Sequence, residues 1–155
     1  MGRILVVANE TLCSDELHDV VVARAAAGST IRFAVPLRIP VYADLGGLSM
    51  YGFVALEAGD AEAIEQDGCR RLDDMLARLE TSGVRAAGRV YCADPMAAVE
   101  REIDRHLVSE IIVSTKARAI SRWLGVDLPH RLARRFPGIT VTTLENRARM
   151  AAGTP

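Results

Sequence analysis

Residues 84–115 run VRAAGRVYCADPMAAVEREIDRHLVSEIIVST. They read as strand, helix, strand. Val84 to Cys92 makes the first strand, and Arg85 and Arg89 within it suggest a wet face. Asp94-Pro95 opens a helix: an aspartate at the N-cap accepts from unpaired backbone N–H groups, and proline fits the first turn, where its missing N–H costs nothing. Val99, Ile103, His106 and Leu107 recur at helical spacing and are expected to form its buried face. Glu110-Ile111-Ile112-Val113-Ser114-Thr115 is then a short apolar run of the kind that suits a strand covered on both faces.

The same alternation continues outward in both directions. Arg3 to Asn9 is a second short apolar run, followed by a helix over residues 13–27 that Gly28 can end. Thr30 to Val35 is a strand stopped by Pro36. Ala61 to Ser82 reads as the clearest helix, with Ile64, Cys69, Leu72, Met75, Leu76 and Leu79 as one apolar stripe, Asp60 as its cap and Gly83 as its end. Downstream, a helix from about Leu128 to Arg135, capped by Asp127, precedes a last strand from Ile139 to Leu144. Strands alternating with helices predict a parallel, doubly wound α/β sheet of five strands with helices on both faces, Rossmann-like in plan. One domain over residues 1–144 with a polar tail over 145–155 is the expected organisation. Residues 37–60 hold Pro40, Gly46, Gly47, Gly52 and Gly59 with Tyr42, Tyr51 and Phe53, and read as a long loop: a lid, a partner surface or a plain surface loop.

Composition narrows the function classes. The formal net charge is −1, so no global field draws in nucleic acid or an anionic membrane, and neither is expected as a partner. Lys116 is the only lysine among 19 basic residues. Cys13, Cys69 and Cys92 stand far apart and are odd in number, which argues against a disulfide framework; Cys69 and Cys92 are expected to be small buried hydrophobes. No apolar run approaches the roughly 18 residues of a membrane span, and a strand begins almost at the first residue, so a cytoplasmic protein is expected. His18, His106 and His130 fall on three separate helices and offer no metal-ligand spacing. Walker-loop and G-x-S-x-G patterns do not occur.

Ligands of doubly wound sheets bind beyond the carboxyl ends of the strands, at the switch point. The segments to inspect are therefore Ala8-Asn9-Glu10-Thr11, Val35 to Leu37 with Pro36 at its centre, Cys92 to Pro95, and Ser114-Thr115 onward. In this order they resemble the universal stress protein family. Ile4 to Thr11 looks like the family's opening strand. Asp94-Pro95 through Ile111-Ile112-Val113-Ser114-Thr115 is similar to its Gly-Asp-Pro helix and following strand, and Arg134-Arg135-Phe136-Pro137 to its last-helix ending. The resemblance implies strand order 3-2-1-4-5, a homodimer formed through the last strand, a role in stress response and a site for ATP or AMP.

This chain departs from the nucleotide signature that the resemblance implies, Gly-x-x-Gly, nine residues, then Gly-Ser or Gly-Thr. Ser114 stands for the first glycine and Ala117 for the second; seven residues, 118 to 124, precede Gly125; Val126 replaces the hydroxyl residue; Asn9 stands for an aspartate. A Cβ at Ser114 or Ala117 fills space a phosphate needs, and valine donates nothing. Weak or absent ATP binding is therefore expected. Lys116 and Arg118, beside the same crevice, suit another anionic small molecule or solvate the surface. Three readings follow: a non-enzymatic regulatory or stress-response domain, a binding module for a different anion, and a small hydrolase of the nucleotide-binding α/β class.

Overall fold

The computed structural model describes residues 2–37, 58–116 and 128–146. In chain order the elements are β1 (Arg3–Val7), α1 (Asp15–Ala26), β2 (Thr30–Pro36), α2 (Ala58–Thr81), β3 (Ala86–Tyr91), α3 (Pro95–Arg105), β4 (Glu110–Lys116), α4 (Leu128–Arg135) and β5 (Thr140–Asn146). The five strands form one sheet in the order β3-β2-β1-β4-β5, and every neighbouring pair is parallel. This is the predicted architecture. The chain turns back between β1 and β4, so the switch point lies at their carboxyl ends.

Alternation along the strands divides the core. Ile4, Val6, Ile31, Phe33, Val35 and Ile112 face one side, where Leu17 and Val21 of α1 and Leu72, Met75 and Leu79 of α2 pack on them. Leu5, Val7, Ala34, Ile111 and Val113 face the other, against Ala98 and Val99 of α3 and Leu128 and Leu132 of α4. β1 and β4 are buried on both faces, which is why they read as continuous apolar runs. β3 is an edge strand with alternately exposed residues, the wet face its arginines suggested.

Caps define the helix ends. Ser14 accepts from Leu17 N at the start of α1, and Asp94 accepts from Met96 N and Ala97 N at the start of α3, with Pro95 in the first turn. Gly83, at φ +77°, takes the left-handed turn that ends α2. Five local expectations are corrected. α2 begins at Ala58, so Asp60 lies inside the helix and not at its cap. Cys69 is exposed because the buried line of α2 runs through Gly68, Leu72, Met75 and Leu79, one residue out of phase with it. Cys92 is exposed because β3 ends at Tyr91. Leu107 is 90% exposed: α3 ends at Arg105, and His106 is extended at φ −140°, so helical spacing no longer aims Leu107 inward. Finally, β5 runs two residues past Leu144, to Asn146. Residues 38–57 and the Asp127 cap lie outside the described residues. Among the described residues no helix is long and apolar enough to cross a membrane.

Candidate functional site

The carboxyl ends of β1 and β4 lie side by side, Val7 opposite Val113. Past β1 the chain makes two close turns, Leu12 N donating to Asn9 O and Ser14 N to Thr11 O, which deliver Ser14 to the cap of α1. Thr11 is thereby turned toward β4. Its hydroxyl donates to Ser114 O at 3.1 Å and lies 2.7 Å from Ser114 Oγ. From the other side Asn146, at the end of β5, donates through Nδ2 to Ser114 Oγ at 2.7 Å and to Thr115 O at 2.9 Å. Ser14 Oγ closes the chain by donating to Asn146 Oδ1 at 2.6 Å.

Thr11, Ser114 and Asn146 are all buried. The Ser114 hydroxyl accepts from Asn146 and, with Thr11 Oγ1 donating to Ser114 O, itself donates to Thr11 Oγ1. Its single proton is thereby committed within the protein, and Asn146 takes one of its two acceptor positions. The network stitches the ends of β1, β4 and β5 to the start of α1 at the switch point, where the resemblance implies a glycine and close approach of phosphate. A satisfied buried network of this kind is rigid, and opening it strands polar groups.

Beside the network the charges are paired. Lys116 Nζ sits 2.6 Å from Glu10 Oε2 across the crevice. Arg71 of α2 donates to Asn9 O at 2.6 Å, to Asn9 Oδ1 at 2.9 Å and to Asp67 at 2.9 Å. Asp67 also pairs with Arg70, and these contacts hold its carboxyl below the ordinary value, the Arg70 hydrogen bond first. An open cavity of about 520 Å³ lies here, lined among others by Asn9, Glu10, Leu37, Ile64, Asp67 and Arg71. Asp67 is shared by Arg70 and Arg71, and Glu10 is paired with Lys116.

The structure thus brings together Ala8, Asn9, Glu10, Thr11, Ser114, Thr115 and Lys116 at one end of the sheet. Pro36 ends β2, opposite Tyr91 of β3. Ala117, Arg118, Gly125 and Val126 lie outside the described residues. Asp67, Arg71, Ser14 and Asn146 are the contributors that sequence reasoning missed. Asp67 and Arg71 stand four apart on a helix and signal only each other; that Arg71 reaches Asn9 depends on how α2 packs. Asn146 lies in what read as a polar tail. Among the described residues no group of three or more His, Cys, Asp or Glu could hold a metal ion.

Neither a family model nor a curated protein matches the sequence. Solved structures do. A protein of the universal stress protein family from Burkholderia pseudomallei superposes with TM-score 0.62 at 18% identity, covering 94% of this chain and 96% of that one. A universal stress protein family protein from Arabidopsis thaliana, with AMP bound, superposes with TM-score 0.51 at 12% identity, covering 100% of this chain and 96% of that one. With the strand order, the parallel pairing and the placement of the four helices, these likenesses show that the chain has the fold of the universal stress protein family.

Proposed function

We propose that the chain is a divergent universal stress protein domain that acts in the cytoplasm as a regulatory or stress-response homodimer, without catalysis and with weak or no ATP binding. One observation carries this reading: the Thr11–Ser114–Asn146 network fills the switch point with the protein's own donors and acceptors. A phosphate placed there would have to displace it. The neighbouring Lys116 is already neutralised by Glu10, which weakens the pull on a phosphate or any other anion. The AMP in the Arabidopsis thaliana structure indicates that this fold can hold a nucleotide, so the difference lies in the side chains at the switch point and not in the architecture.

Native mass spectrometry of freshly purified protein tests the proposal. A dimer without a bound nucleotide is the expected result. A stoichiometric adenine nucleotide on the dimer would overturn the filled switch-point reading, and a monomer at high concentration would overturn the assembly.

A further inference from the structure

The opposite end of the sheet carries a second concentration of charge, unrelated to the crevice above. Side chains at Arg3 and Leu5 of β1 and at Arg32 and Ala34 of β2 share the face that α3 covers, since Leu5 pairs with Arg32 and both Leu5 and Ala34 belong to the α3-side core. α3 stops at Arg105, leaving the amino ends of these strands beyond its last turn. A cavity of about 310 Å³ opens there, lined among others by Arg3, Arg32, Arg85 and His106.

The arginines are held differently. Arg32 Nε donates to Glu102 Oε2 at 2.9 Å, and Glu102, fully buried, takes a second hydrogen bond from Tyr91 OH at 2.6 Å. That carboxylate fixes Arg32 and is itself satisfied. Among the described residues Arg3 and Arg85 have no ion-pair partner. His106 Nε2 lies 3.8 Å from Glu102 Oε2. Desolvation first, then the Arg32 guanidinium, hold His106 below its ordinary value; Arg3 and Arg105 act the same way, and Glu102 opposes them. The imidazole therefore senses three guanidiniums against one carboxylate.

Charge on an edge strand commonly guards against sheet-to-sheet pairing, and that accounts for Arg89 and Arg85 on or beside β3. It does not account for Arg3 and Arg32, which lie on the central strand and its neighbour. We propose that Arg3, Arg32 and Arg85, with His106, form a binding site for a compact phosphate-bearing anion at the amino end of the sheet. Guanidinium forks match phosphate oxygens two at a time, and the cavity has the size of a small-ligand site. Glu102 is the positioning residue: it orients Arg32 and leaves the other two guanidiniums unmatched for the ligand.

Inorganic pyrophosphate is the probe, titrated calorimetrically into the full-length protein at constant ionic strength, with sulfate as the control for general screening. Saturable binding of pyrophosphate is expected. Arg3→Gln and Arg85→Gln should each weaken it at least tenfold, and both spare the Arg32–Glu102 pair, so the fold survives. Arg89→Gln, outside the cavity, should bind as the parent does. The His106 imidazole resonances should shift on binding in the parent and not in the double variant. No saturable heat in the parent, unchanged affinity in the double variant, or an equal loss in Arg89→Gln would each overturn the proposal.

Discussion

Glu102 is fully buried between α3 and the sheet, bound to Arg32 and Tyr91. Burial raises the pKa of its carboxyl, and the hydrogen bonds from Arg32 and Tyr91 outweigh that, so it ends below the ordinary 4.5. Burial and the same carboxylate push Tyr91 up to about 12. The folded protein thus binds fewer protons than the unfolded chain as pH falls. The stability Glu102 contributes is complete above about pH 4.5 and is lost as pH drops through its folded value. His106, held below 6.5 in an environment of Arg3, Arg32 and Arg105, acts in the same direction from about pH 6.5 downward. Glu102→Gln should flatten the acid limb of a stability–pH curve measured by urea denaturation. It should also cost about 3 kcal/mol at neutral pH, the low end for a broken buried pair because Arg32 is 22% exposed. Ser114→Ala should cost about 1–2 kcal/mol, since Thr11 and Asn146 each keep a carbonyl partner. Leu107→Ser, at a 90% exposed site, should stay within about 0.5 kcal/mol of the parent.

Among the elements, the packing of α2 on β3 depends on glycine in a way the sequence does not announce. A Cβ at Gly88 would lie 2.8 Å from Phe33 Cβ and 3.1 Å from Phe33 O, and the carbonyl belongs to the neighbouring strand and cannot move aside. Gly88→Ala should cost about 1–3 kcal/mol by overpacking. At Gly68 the close atoms are only the Leu37 side-chain carbons, at 2.9 Å, and alanine gains about 1 kcal/mol of helix propensity. Gly68→Ala should therefore melt near the parent, and chemical denaturation of both variants checks the contrast. Elements with strong local signals were legible: Asp94-Pro95 marked the start of α3, Gly83 the end of α2, and the apolar runs β1 and β4. Helical spacing misplaces a residue where it runs past an end that tertiary contacts set, or where a glycine hides the true phase of the stripe. Leu107 follows an α3 that has already stopped, and Cys69 sits one position off a stripe whose true member is a glycine, a residue with no apolar side chain to reveal it.

At the scale of the whole molecule, alternation of strand and helix made the doubly wound sheet readable, and the resemblance supplied its order. The site was half legible. Residues at strand ends could be located from the switch-point rule, yet their pairing with Arg71, Glu10 and Asn146 links segments far apart in sequence and follows only from the folded chain. β5 pairs with β4 on one side and forms the other edge of the sheet. The proposed dimer uses that edge, and sedimentation velocity should show a dimer that Thr143→Lys, a charge at an exposed edge position, weakens. In the proposed reading the Thr11–Ser114–Asn146 network occupies the phosphate position at the switch point, beside the open cavity. Isothermal titration with ATP and magnesium tests it most directly, run on the parent and on the Arg3→Gln/Arg85→Gln variant so that heat from the amino end of the sheet is not counted. Loss of two charge-assisted phosphate contacts, worth about 1.5–3 kcal/mol each, moves micromolar binding toward millimolar. The variant should bind ATP with a dissociation constant of about a millimolar or weaker; micromolar, saturable binding there would show that the switch point still accepts phosphate.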